Sequence, residues 1–183
     1  MKFKTLTAAA ALAAATLTPA WAENPMVGGA AMYADRNIVE NAVNSADHET
    51  LVAAVKAAGL VDTLAGEGPF TVFAPTDDAF AMLQEGTVET LLKPENKAAL
   101  QKVLTCHVVQ ADAMADAIKG MIRDDGGMHP VPTVGGCTLK AMMEGDTIVL
   151  EDPRGRRANV TIADVDQSNG VIHVIDTVLL PTM

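Results

Sequence analysis

Aromatic residues are scarce: Phe, Trp and Tyr make up 3% of the 183 residues. With so few rings, gaps in the interior fall to methionine, a flexible filler that occurs ten times. Basic charge is scarce too. Lys and Arg number 13 against 23 Asp and Glu, a formal charge of −10. Such a surface repels nucleic acid and anionic lipid, and no basic cluster offsets it, so both are excluded as main partners. Ser45 and Ser168 are the only serines, and neither sits in Gly-x-Ser-x-Gly. The four histidines, His48, His107, His129 and His173, show no metal-ligand spacing, and there is no phosphate-binding glycine loop. Hydrolase, metalloenzyme and nucleotide-dependent chemistry all lack their parts, so no enzyme, cofactor or metal is expected. Only Cys106 and Cys137 carry thiols, without a Cys-x-x-Cys pattern, which favours a structural disulfide over a redox or metal pair. No internal repeat is present.

The first 22 residues read as a cleaved leader. Lys2 and Lys4 form a short basic start, an alanine-rich apolar stretch follows, and Ala20 and Ala22 occupy the small-residue positions of a signal-peptidase site. Cleavage after Ala22 predicts export to the periplasm or the medium. No Cys follows to carry a lipid anchor, and no later apolar run is long enough to span a bilayer. Removing the two lysines takes the formal charge from −10 to −12. Residues 23–36 lack periodicity and read as a loose N-terminal arm; residues 37–183 are one domain's worth of chain.

That domain has two halves of different grammar. From about 37 to 123 the pattern is mostly helical. In DHETLVAAVKAAGL, Asp47 is placed to cap, Leu51, Val52, Val55 and Ala58 share a face, and Gly59 sits where a helix end takes positive φ. VDTLAG, TVETLL, PENKAALQKVL and DAMADAIKGMI read as further helices, and PFTVFAP and CHVVQ as strands. Beyond DDGG come four strand patterns, CTLKAMM, TIVLED, ANVTIADV and VIHVIDTVLL, separated by glycine-bearing turns. Helices followed by hairpin-joined strands predict an α+β fold.

The adjacent acids of PFTVFAPTDDAF decide whether an acid-pair chemistry is in play. Thr76 has the side chain of a helix cap, and acids in a first turn gain about 0.3–1 kcal/mol from the helix dipole. Neighbouring helical positions diverge by about 100°, so Asp77 and Asp78 cannot share one proton or one small ion. They read as a helix start. His48 and His129, in polar or Pro/Gly-rich surroundings, read as exposed. His107 and His173, in apolar patterns, read as hydrogen-bonded structural groups. Nine methionines remain after the leader; a soft-metal site for Cu(I), with GGMH (126 to 129) its most exposed element, is the alternative to their packing role.

These pieces together resemble the fasciclin (FAS1) domain. GPFTVFAPTDDAF resembles its first signature block, SNGVIHVIDTVLLP its second, and TLVAAVKAAGLVDTL its opening helix; the resemblance covers about 37 to 181. It implies a β-wedge or sandwich of mainly antiparallel strands with helices packed on one side. It also implies a non-enzymatic adhesion module whose partner is a protein or glycan on a cell surface, envelope or matrix, with weak self-association as the way one domain could bridge two surfaces. His107 matches the His of the family's Tyr-His pair, where Cys106 replaces the Tyr. Asp164 matches the Asp of an Asp-Ile element, with Val165 in place of the Ile. His107, Asp164 and Val165 are the candidate interaction residues that follow. Asn169 and Gly170 match the turn before the last strand, where positive φ suits both residue types. A periplasmic metal- or small-ligand-binding protein using Met and His is the second reading.

Overall fold

The computed structural model describes residues 24–182; the leader and its cleavage point at Ala22 lie outside the described residues. Among the described residues seven α-helices are laid down mostly before the main run of strands, as the order of patterns predicts, with a 3-10 turn at Pro94–Asn96 leading into the sixth. They are α1 (Ile38–Ala42), α2 (Glu49–Ala58), α3 (Val61–Ala65), α4 (Asp77–Ala81), α5 (Thr87–Leu91), α6 (Lys97–Thr105) and α7 (Ala115–Asp124). A short hairpin of β1 (Met26–Val27) and β2 (Ala30–Ala31) precedes them. The main sheet is built from β3 (Phe70–Pro75), β4 (Val108–Val109), β5 (Met128–Pro132), β6 (Thr138–Glu144), β7 (Thr147–Glu151), β8 (Arg157–Gln167) and β9 (Gly170–Ile175). Its strand order is β4-β3-β9-β8-β7-β6-β5, and every pairing is antiparallel except β3 with β9.

Because side chains alternate along a strand, β3 and β9 feed two separate cores. Val72, Ala74, Ile172 and Val174 face the layer of α1 to α6. Phe73 and Ile175 face the other way, toward Leu139, Ala141, Ile148 and Leu150 of β6 and β7. The sheet is therefore folded over on itself into two leaves. The fold is made in β8, whose register against β9 shifts between Val160 and Ile162 and again between Ile162 and Val165. Such bulges bend a strand, so Ala158 lies in the inter-leaf core while Val165 lies under the helices. Among the described residues α7 is the one helix on the inter-leaf side, plugging it with Ala115, Ile118 and Ile122.

Three local readings change. The stretch read as a loose arm forms the β1–β2 hairpin and buries Val27 and Met32, its strands being too short for any period to show. MHPVP forms β5 despite Pro130 and Pro132, which is tolerated because β5 is the last strand of the sheet and needs a ladder on one side only. The final strand stops at Ile175, and the TVLL segment beyond it is held by side chains instead.

The two ends of the sheet nearly meet. Val134 N–H donates to the Val108 carbonyl at 2.8 Å and Gly135 N–H to that of Thr105 at 2.9 Å. A Cβ on Gly135 would lie 2.7 Å from Thr105 Oγ1 and 2.8 Å from the Cys106 nitrogen, so only glycine lets the chains come this close. The Cys106–Cys137 disulfide fastens the same seam, with both cysteines buried. It spans 31 residues, so reduction is expected to remove roughly 3–4 kcal/mol by freeing the unfolded chain. Urea midpoints with and without reductant measure this. A loss below about 1 kcal/mol would mean that the backbone bonds close the seam alone.

Candidate functional site

Pro75 ends β3 and Thr76 turns the chain into α4, its hydroxyl accepting from Ala79 N–H at 3.3 Å. Asp77 and Asp78 occupy the first turn of that helix. The Asp77 carboxylate does more than sit there: it accepts from the backbone N–H groups of Glu49 (3.2 Å) and Thr50 (2.8 Å) and so caps α2 from another segment. Asp47, expected to cap α2, instead uses its carbonyl to accept from Asp77 N–H at 2.8 Å. That exchange pulls the residue between them inward, and His48, expected to be exposed, is buried with Nδ1 2.8 Å from Ser45 Oγ. Burial holds its pKa below the usual imidazole value.

The three candidate interaction residues do not share one surface. His107 is 3% exposed and Val165 0%, so neither can touch a partner in this fold. His107 follows α6, and its ring spans two elements: Nδ1–H donates to the Val103 carbonyl at 2.8 Å, and Nε2 accepts from Leu179 N–H at 2.9 Å. The bond accepted at Nε2 requires the neutral ring, and burial pushes its pKa down to about 4. Val165 packs under the helices because the bulge turns it inward.

Asp164 is exposed, at the crest of that bulge, with φ 56°. Among the described residues it alone combines a side chain with positive φ, a conformation that asparagine and aspartate tolerate better than most. Its backbone is clamped. The Asp164 N–H donates to His173 Nδ1 at 3.2 Å, and one carboxylate oxygen accepts from Ala115 N–H at 2.6 Å, capping α7. His173, wholly buried in β9, passes the link on by donating from Nε2 to the Ala113 carbonyl at 2.8 Å. Burial lowers its pKa as well.

At the β8–β9 turn, Asn169 ties three segments together. Its Oδ1 accepts from Ile38 N–H at 3.0 Å, and its amide nitrogen donates to the carbonyls of Leu64 (2.8 Å) and Gly66 (2.9 Å). Positive φ was expected at both Asn169 and Gly170, yet only Gly170 shows it, at 151°. Asn169 is there for its amide, not for its backbone.

Sequence reasoning missed Asp152. Its buried carboxylate accepts from the N–H groups of Arg154 (2.8 Å), Arg156 (2.9 Å) and Leu180 (2.9 Å), anchoring the β7–β8 turn and the C-terminal segment together. The signal was Asp before Pro-Arg-Gly, a composition in which the Asp side chain bonds the backbone two residues on. Met128 and His129 do not converge: they are consecutive in β5 and point to opposite faces, and His129 Nδ1 is taken by Asp125 at 2.6 Å. Among the described residues no group of three or more His, Cys, Asp and Glu is placed to hold a metal ion.

The comparisons with known proteins agree on one family. The model of the Fasciclin domain matches residues 46–181. Protein sll1483 of Synechocystis sp. is 46% identical over 161 residues, 88% of this chain and 82% of that protein. Transforming growth factor-beta-induced protein ig-h3 of Sus scrofa is 34% identical over 134 residues, 73% of this chain and 18% of that protein. A solved FAS1 domain pair from the insect cell adhesion molecule Fasciclin I superposes with a TM-score of 0.71 at 19% identity, covering 79% of this chain and 51% of that one. With one family model across most of its length and a relative that it largely spans, the chain belongs to the fasciclin family.

Proposed function

We propose that this protein is an exported, non-enzymatic FAS1 module that binds a protein or glycan on a cell surface, envelope or matrix, and that Asp164 is its principal contact. The observation that carries this reading is the conformation of Asp164. It is an exposed carboxylate on a positive-φ bulge, fixed by a buried histidine on one side and a helix N-terminus on the other. Backbone strain held in place by surrounding structure is a feature of ligand-contacting positions. A rigid charge loses little entropy on binding. His107 and Val165 serve it indirectly by holding the scaffold. A FAS1 pair from a cell adhesion molecule shares the fold.

The test is Asp164→Asn, which tolerates the same φ and can still accept from Ala115 N–H, so only the charge is lost. In a binding screen against cell surfaces, polysaccharides and envelope proteins, affinity for whatever the wild type captures is expected to fall about tenfold, worth ~1.4 kcal/mol, while Tm stays close to wild type. Unchanged binding with an unchanged Tm would remove Asp164 from the site.

A further inference from the structure

A narrow cavity of about 80 Å³ runs between the helical layer and the β3–β9 face of the sheet. Met32, Val55, Leu64, Val72 and Ile172 are among its walls, which are almost wholly apolar. The walls are mostly aliphatic, with Phe70 and Phe73 of β3 the aromatic side chains among them. Of the polar residues along this lining, His48 is the one with an unpartnered buried side-chain atom among the described residues. That atom is Nε2, and the backbone of Ala74 is a polar neighbour of the ring. His107 also lines the cavity, but both of its nitrogens are already bonded.

We infer that this cavity is a binding site for a small aliphatic molecule carrying one hydroxyl, the hydrocarbon lying among the apolar walls and the hydroxyl meeting His48 Nε2. An apolar cavity of roughly 150 Å³ stays dry and takes up benzene or xenon, so half that volume suits xenon or a short alkyl chain and excludes larger rings. A buried nitrogen without a partner has given up its hydration for nothing. A hydroxyl, able to donate or accept, restores that bond whichever tautomer His48 adopts. The site is independent of the surface reading, since Asp164→Asn leaves it untouched.

The experiment uses the mature, disulfide-bonded chain labelled for methyl and imidazole NMR, titrated with xenon and with 1-butanol. Both are expected to give saturable shifts at the methyls of Met32, Val55, Leu64 and Ile172, and each is expected to displace the other. 1-Butanol, and not xenon, is expected to move the His48 Nε2 resonance while that of His107 stays still. The variant His48→Leu with Ser45→Ala removes the imidazole and its hydroxyl partner together; it should keep xenon binding and weaken 1-butanol about tenfold. Absence of saturable methyl shifts with either probe overturns the cavity site. A His48 resonance that ignores 1-butanol, or a variant that binds it as well as wild type, overturns the polar anchor.

Discussion

Gly170→Ala is expected to leave no stably folded protein. A Cβ at this position would sit 1.9 Å from the Phe70 carbonyl oxygen and 2.7 Å from the Phe70 nitrogen, and both are backbone atoms that cannot swing aside. The φ of 151° adds a conformation that side-chain-bearing residues rarely adopt. Relief would require β9 to move off β3. That would open the six-residue parallel ladder from Phe70–Gly170 to Pro75–Ile175, the wall common to both cores. A cost above roughly 4 kcal/mol follows, a large share of the ~5–15 kcal/mol by which whole domains are stable. Gly120→Ala is the internal control: Gly120 lies within α7 with nothing within 4 Å of its Cβ direction, and alanine there should be neutral or gain up to about 1 kcal/mol. Urea denaturation of both variants checks the pair. A Gly170→Ala protein within about 1 kcal/mol of wild type would show that the two strands do not cross this closely.

The second large effect is a loss of stability in mild acid. His48, His107 and His173 are all buried, and burial lowers the pKa of each. The unfolded chain takes up protons near pH 6.5 while the folded chain holds these rings neutral. Their contribution is thus complete above pH 6.5 and is lost as pH falls toward the folded values, about 4 for His107. One pKa unit is worth about 1.4 kcal/mol, so His107 alone accounts for roughly 3 kcal/mol across that window, with His48 and His173 adding in the same direction. The neighbouring charges do not reverse this. Asp152 favours and Arg156 disfavours a proton on His107, Asp164 and Asp112 favour one on His173, and Asp77 and Asp47 favour one on His48, yet burial outweighs them all. The bonds say the same thing: a proton on His107 Nε2 would face Leu179 N–H, and one on His173 Nδ1 would face Asp164 N–H. Glu151, whose pKa is lowered mainly by its hydrogen bond to Lys140, acts in the same direction but at lower pH, losing its contribution as it is protonated. Denaturation midpoints at half-unit steps from pH 7.5 to 4.5 measure the slope. A flat profile down to pH 5 would mean that the buried rings are charged or accessible.

The acid profile also bears on function. The same neutral His173 that contributes stability anchors the bulge carrying Asp164, so its protonation loosens the exposed carboxylate and the start of α7 together. If Asp164 is the contact proposed above, capture of a partner through it should weaken over the same pH range.

The sequence by itself determined the class of the fold, most of its elements, the family and the seam disulfide. These are written in local signals: a hydrophobic period, a proline or glycine at an element's end, and two long motif blocks. It also read Asp77 and Asp78 correctly as the start of a helix, because the angle between adjacent helical positions is a local fact. Only the tertiary structure decided which side of the surface each of these residues occupies. Asp77 caps α2 across 28 positions of chain, and His48 is drawn inward by that exchange. Asp164 stands out while Val165, its neighbour, is buried, since a bulge of a few residues shifts the alternation of β8. A strand's period predicts faces only while the register holds, and the register of β8 is set by β7 and β9, which the local pattern does not contain.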